Sequence, residues 1–561
     1  MRLVKLAGGT VYDPANGLDG VVRDLWIRDG VFVEPPIDGL ADRTFDLTDL
    51  AVMPGGVDIH AHIAGPKVNV ARKLRPEDRR ANPVQRNGLL RSGTGGSTPT
   101  TFVTGYLYAG LGYTSVFDAA IPPLGARHTH EEFHDTPVID KGFYVLAGNN
   151  HYALSQVAAE EPERLRALLG WLLQATRGYA IKVVNPGGVE AWKQGKNGST
   201  GLDDLVPTFD VTPRSIVREI ARAVDDLGLP HPVHVHCNRL GMPGNSATTL
   251  DTMKSVDGSR AHFTHIQFHS YGGDLGDQST FHSAVPELAD YANAHPELSI
   301  DVGQVIFGET TSMTGDGPLG HFLHGVTGRK WFNGETECEG GCGIVPITYR
   351  DKSLVHALQW AIGLEWYLLV KDPWQIAMST DHPNGGSFVA YPEIIALLMS
   401  ADLRREQLKR VPAGVRERCQ LGDLTREYTL NEIAIITRAG PARMLGLTHK
   451  GHLGPGADAD VAVYTPQADR RAMFELPRYV FKAGELIVDR GEIRSVPFGS
   501  TVYVEPNFDA DAIPHIRQWF EEHYSLQFAN YAVTDDFLTQ PRRVATISSP
   551  RSGSLASKPI A

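Results

Sequence analysis

Five short runs of this chain carry side chains suited to binding metal ions. The run Ala51–His62 is apolar and ends in His60-Ala-His62, and strand alternation would turn both imidazoles to one face. Val233–Cys237 offers His234 and His236, and Thr264–Ser270 offers His265 and His269. Met378-Ser-Thr-Asp381-His382 supplies a carboxylate, which could hold one ion and take a proton from an attacking water. Imidazole with carboxylate suits Zn²⁺ and related borderline metals. The fifth run, Tyr179–Gly188, places Lys182 inside a β-branched apolar stretch, where an ammonium is costly to bury. A lysine deprotonated by burial can add carbon dioxide. The resulting carbamate is an anion able to bridge two metal ions, and it resolves the conflict.

Each run alone has a plainer reading. A His-x-His pair can simply satisfy a strand end, and Asp381 before Pro383-Asn-Gly can be a turn residue. The conjunction is the stronger signal, because His-x-His, Lys, His, His and Asp follow one another at the ends of successive apolar runs. His236, nearer the end of its run, is the preferred ligand, with His234 deeper; on spacing alone the two roles can be exchanged. His265 is preferred as ligand because it lies in the apolar stretch, and His269 begins the loop as a substrate contact. Asn185 and Asn238, together with His234, are expected to support the ligands or touch substrate. Cys338-x-x-x-Cys342 has no matching pair, so a surface loop is its plain reading.

Ligands scattered over the chain need a frame that brings them together. Strands are expected at Thr114–Ala119, Gly142–Ala147, Ala180–Val184, Val233–Cys237, Phe263–Phe268, Ser299–Phe307 and Ile376–Thr380, after a first strand ending at His60. Helical periodicity lies between several of them, as in Glu163–Thr176 and Pro213–Leu227. Such alternation predicts an α/β fold, a (β/α)₈ TIM-like barrel with its site on the rim at the C-terminal strand ends. Gly-rich inserts at 64–112 and 308–350 would cover that rim. Short strands with turns occupy both chain ends, Leu3–Leu6, Leu25–Ile27 and Val31–Val33 at one and Val461–Tyr464, Tyr479–Phe481, Glu485–Val488 and Thr501–Val504 at the other. They are expected to build one small composite β-domain. The predicted division is 1–50 for its N-terminal part, 51–435 for the barrel, 436–508 for its C-terminal part, and 509–561 for a helix (Ala510–Tyr524) and a disordered tail.

Composition narrows the function. The chain has 561 residues, 42% hydrophobic and 21% charged, with a net charge of −12, which argues against a general nucleic-acid binder. The N-terminus lacks the apolar core of a secretory signal, and no stretch approaches a membrane span. Four cysteines make no disulfide framework, so a cytoplasmic, reducing setting is expected.

Pro54–His62, Lys182, His236, His265 and Ser379–His382, with Ile436–Leu447 and Lys450–Tyr464, resemble the metal-dependent amidohydrolase superfamily. Ile181–Trp192, His236–Gly241 and Thr264–Gly273 further resemble the A-subunit group of formylmethanofuran dehydrogenases, which includes the corresponding hydrolase of the bacterial formyltransferase/hydrolase complex. The Arg- and Ala-rich composition leans toward the bacterial complex. The resemblance implies hydrolysis of N-formylmethanofuran to formate and methanofuran in one-carbon metabolism, with a formyltransferase and further subunits as partners. It also implies two zinc ions bridged by carboxylated Lys182, with Asp381 as base and then acid and His269 near the developing oxyanion. An acidic carrier tail would need cations, and Lys67, Arg72, Lys73, Arg75, Arg79 and Arg80 crowd the first insert, where a substrate or subunit contact and a solvated charged loop are equal readings. Alternatives are the archaeal enzyme working toward formyl synthesis, a cyclic-amide hydrolase of the dihydroorotase or hydantoinase kind, and a scaffold without activity. The four cysteines offer no iron–sulfur spacing, so any redox step would belong to a partner.

Overall fold

In the computed structural model, which describes residues 3–84, 87–195, 201–275, 277–333 and 343–548, the apolar runs pair in chain order. They are Gly56–Ala61 (β1), Tyr113–Ile121 (β2), Asp140–Leu146 (β3), Ala180–Val184 (β4), Val233–His236 (β5), Ala261–Phe263 (β6), Leu298–Asp301 (β7) and Ile376–Ala377 (β8). Each pairs in parallel with the next. The ring shuts between its first and last members, where Ala61 bridges His382 and the His62 N–H donates to the His382 carbonyl at 2.6 Å. Helices cover the outside. One of them, Pro213–Asp226, begins with a capping box between Thr212 and Ser215 and buries Ile216, Ile220 and Val224.

The later strands are shorter than expected. Phe263–Phe268 is not one strand: β6 stops at Phe263, His265 is left-handed (φ 35°), and Ile266–His269 form one 3₁₀ turn. A side chain at φ 35° is strained, and here surrounding contacts impose it. Asp301 accepts the His265 N–H at 3.0 Å, and a Cβ added to Gly303 would lie 2.4 Å from that of His265. Likewise Ser299–Phe307 is strand only to Asp301, and Ile376–Thr380 only to Ala377.

Both chain ends feed a second sheet. Its order runs Glu492–Ile493, Glu485–Asp489, Tyr479–Lys482, Val461–Tyr464, Ala51–Pro54, Leu3–Asp13, Leu18–Arg28 and Val31–Val33, with Arg43–Asp46 beside Leu3–Asp13. Leu6, Val11, Ile27, Phe32, Val461 and Phe481 fill its core. Val502–Val504, expected in this sheet, instead pairs Arg542–Val544, while Thr501 bridges Lys141 on β3. The C-terminal helix is Ile513–His523, and Phe528 stacks on Trp171 at 4.6 Å.

After β7 comes an insert built on a hairpin, Gly308–Thr314 against Gly343–Tyr349, with a helix over Gly317–Thr327. The Cys338-x-x-x-Cys342 loop and the predicted disordered tail beyond residue 548 lie outside the described residues.

Candidate metal centre

His60 lies in β1 and His62 one residue beyond its end, both buried, with their Nε2 atoms 2.9 and 3.1 Å from one Asp381 oxygen, Oδ1. The rings are aimed from behind. His60 Nδ1 lies 3.0 Å from Asp301 Oδ2, and His62 Nδ1 lies 3.4 Å from Asp118 Oδ1. Asp301 is fixed in turn by the Thr264 hydroxyl at 2.7 Å and by His262 Nε2 at 3.0 Å. Asp118 accepts the N–H groups of Ile63 and Ala64. Just before His60, Asp58 accepts the hydroxyls of Tyr108 and Tyr391 and the His60 N–H, and burial raises its pKa to about 6.

A chain of imidazoles sets the His60 tautomer. His231 Nδ1 meets the Met444 carbonyl at 2.8 Å, so that nitrogen carries the hydrogen. Burial holds His231 and His234 well below the usual imidazole pKa, so both are neutral. His231 Nε2 therefore accepts from His234 Nδ1 at 3.0 Å, and the bare His234 Nε2 faces His60 Nδ1 at 3.3 Å. The His60 hydrogen then lies on Nδ1, and the lone pair of Nε2 points at Asp381. Burial opposes a charge on His60, but Asp301 and Asp381 outweigh it and raise its pKa to about 9. The pair thus attracts a cation, with a proton and a metal ion competing for the same lone pair.

On the other side of the axis, His236 Nδ1 and His265 Nε2 approach to 3.1 Å. The His269 ring lies 5.2 Å from each, and both its nitrogens are buried without a hydrogen-bond partner among the described residues. Asp381 Oδ2 is likewise unpartnered, while Oδ1 also accepts from Asn384 at 2.9 Å. These bare donor atoms fit a bound cation. Lys182 lies on β4, in register with His234 on β5 and two residues before the Val184–His236 pair. It is 2% exposed, and burial lowers its pKa to about 7 against the pull of Asp301 and Asp381.

Among the described residues, two open sets of ligand atoms cluster tightly enough to hold ions, His60, His62 and Asp381 in one and His236, His265 and His269 in the other. Two further sets are already occupied. His234 and Asp301 are spent on the network behind His60. Asp140, Asp458 and Asp460 surround the Lys450 ammonium at 2.5, 2.7 and 2.6 Å.

The structure therefore gathers His60, His62, His236, His265, His269, Lys182 and Asp381 at one rim. His234 lies behind them, and His265 lies past the end of its strand rather than in it. Asn185 and Asn238 bond each other at 2.9 Å, and Asn185 donates to Asp316 of the insert at 3.2 Å. Arg72 and Arg75, expected to meet an acidic substrate, pair with Glu132, Asp78 and Glu309 and hold the inserts together. Sequence reasoning missed Asp58, Asp118, Asp301 and Asp316. The first three stood inside apolar runs, the same kind of signal that singled out Lys182.

A cavity of about 460 Å³ opens between insert and rim. Phe268, Leu319, Phe322, Ile347 and Tyr349 line it, Asn384 joins it to Asp381, and Arg329 and Arg350 belong to its wall.

A barrel of this kind, with paired histidine clusters and a strand-end aspartate on one rim, defines a hydrolase that works through metal ions. The model of the amidohydrolase family matches residues 43–488, and the chain belongs to that family as a metal-dependent amidohydrolase. Within it, the chain is 45% identical over 555 residues to Protein FwdA of Methanocaldococcus jannaschii, covering 95% of this chain and 97% of that one. It is 40% identical over 539 residues to the A subunit of the formyltransferase/hydrolase complex Fhc of Methylorubrum extorquens, covering 95% and 97%. The crystal structure of that organism's FhcABCD complex with methylofuran matches 97% of this chain and 100% of that chain, at 37% identity and a TM-score of 0.91.

Proposed function

We propose that this chain hydrolyses the formamide of an N-formylmethanofuran-type carrier to formate and the free amine, as the hydrolase component of a formyltransferase/hydrolase complex. The observation that carries the reading is full-length similarity to a chain of a complex solved with methylofuran, joined to a rim that keeps the donor atoms such chemistry needs. His60, His62 and Asp381 would hold one zinc ion and His236 and His265 a second, with carboxylated Lys182 between them. The metal, when bound, supplies a Lewis acid and acidifies water. The chain's own groups do the rest. His60 Nε2 is presented bare by the imidazole chain behind it. Asp381 is buried, yet His60 and His265 keep its pKa well below the usual carboxylate range, so it stands ionised and can accept a proton. It takes the proton of the attacking water and returns it to the amine nitrogen as the C–N bond breaks. His269, neutral and without another partner among the described residues, turns an N–H to the oxygen that gains charge. The apolar cavity takes the carrier's ring, and Arg329 and Arg350 its acidic tail.

A second reading, carried over from the archaeal side of the group that the sequence resembles, has the same site join formate to the amine. The test is purification of the native protein, followed by assay against formylmethanofuran, dihydroorotate and a hydantoin. Formate release from the first alone, with a formyltransferase co-purifying, is the expected outcome. Iron–sulfur and tungsten subunits in its place would favour the second reading, and turnover of a cyclic amide would overturn both.

A further inference from the structure

Three imidazoles of the centre back onto carboxylates. Asp301 stands behind His60 and Asp118 behind His62, and both belong to barrel strands. The third carboxylate comes from elsewhere. Asp316 Oδ2 lies 3.4 Å from His236 Nε2, the ring nitrogen turned away from His265. That is an ion-pair distance and longer than a formed hydrogen bond, and Nε2 has no other partner among the described residues. Asp316 belongs to the insert, where it caps the helix Gly317–Thr327. It is 2% exposed, and its other oxygen accepts from Asn185 at the end of β4. The insert packs closely where it delivers this residue. Gly320 and Gly343 approach so tightly that a Cβ on Gly320 would lie 2.3 Å from the Gly343 Cα, and a Cβ on Gly315 would touch Val184.

We propose that Asp316 is a positioning residue through which the insert completes the metal centre. Its carboxylate fixes the hydrogen of His236 on Nε2 and turns the bare Nδ1 toward the metal. Seating of the insert and retention of the metal then become coupled, each favouring the other by the same factor. The barrel alone orients His60 and His62, whereas His236 is oriented only when the insert is down. The inference rests on the binuclear reading of the site.

The test uses the full chain and zinc alone. Wild type and Asp316→Asn are compared for zinc affinity by chelator competition. Amide exchange of the hairpin 308–314 and 343–349 is measured for both proteins with and without zinc. The substitution keeps the side-chain shape and removes the charge. It is expected to weaken zinc binding about 10- to 100-fold. In wild type, zinc should slow exchange of the hairpin, and Asp316→Asn should lose that response. A variant that binds zinc within twofold of wild type overturns the proposal. So does a wild-type hairpin indifferent to zinc, a result that needs no variant to fold. A wild-type chain that binds no zinc at all overturns the metal-centre reading together with it.

Discussion

Lys182 and Asp381 carry opposite demands within one buried rim. A carbamate forms only from a neutral amine, and burial brings the Lys182 pKa to about 7. Below that pH the neutral fraction falls about tenfold per unit. Metal-free protein given zinc should therefore regain activity faster with bicarbonate, and at fixed dissolved carbon dioxide the gain should shrink about fivefold from pH 7 to pH 6. Lys182→Ala should hold less than the full metal complement and regain part of it from short carboxylic acids. Two metals held without such acids would refute the bridge. Asp381→Asn should lower kcat by roughly 10²- to 10⁴-fold, read alongside metal content; full metal with normal turnover would refute its role as base. Lys182 and the histidines were legible in the sequence because polar groups interrupt apolar runs. The same logic reaches Asp58, Asp118 and Asp301, which lie in β1, β2 and β7. Asp316 had no local signal, since only packing of the insert brings it to His236.

Elements held together by charge show where pattern reading succeeds and fails. Strands β1 to β5 are runs of mostly apolar or β-branched residues broken by single polar side chains, and they appear close to where the sequence puts them. The last three are two to four residues long, because the chain leaves β6, β7 and β8 early to form the His265 turn, the insert and the Asp381 turn. No periodicity marks such exits. The joint between sheet and barrel was equally invisible, although Lys450–Tyr464 stood out as a motif. Lys450 and Lys482 each lie within 2.8 Å of both Asp140 on β3 and Asp460. The attraction of the two ammoniums outweighs burial and holds both carboxylates below their usual pKa. Lys450→Met would leave Asp140 and Asp460 sharing the Lys482 ammonium, with Asp458 kept by Arg542, a loss of about 3–5 kcal/mol. Depressed carboxylate pKa values contribute stability above the unfolded pKa of 3.8, and that contribution is lost as pH falls through the folded values. The gap between wild type and variant in urea melts should therefore hold from neutrality down to about pH 4 and shrink only below it. A gap of under ~1 kcal/mol at pH 7 would show that the cluster is not a stabilising joint.

At the scale of the whole molecule, the barrel is a ring with one weak closure. Most neighbouring strands share several residue pairs, whereas the first and last meet through the Ala61–His382 bridge and the His62 N–H bond to His382. The metal cluster straddles this seam. His60 and His62 lie on its β1 side and Asp381 on its β8 side, and His60 Nε2 and His62 Nε2 converge on one Asp381 oxygen. In the free site a proton on His60 holds Asp381 through one nitrogen, whereas a cation in its place would draw on His60, His62 and Asp381 together and so tie the two sides of the seam. Binding to the folded state alone stabilises by about 4 kcal/mol when free metal is a thousandfold above its Kd. That energy should be spent unevenly. Chelation should accelerate amide exchange in 56–62 and 376–385 by one or more orders of magnitude. Strand β3 should change little, because it supplies none of the proposed ligands and its pairing with β4 does not cross the seam. Acid should mimic the chelator, because His60 in the free site gains a proton below about 9 and metal must displace it. Uniform acceleration across all eight strands would mean that the metal stabilises the barrel globally and that the seam is no weaker than the rest.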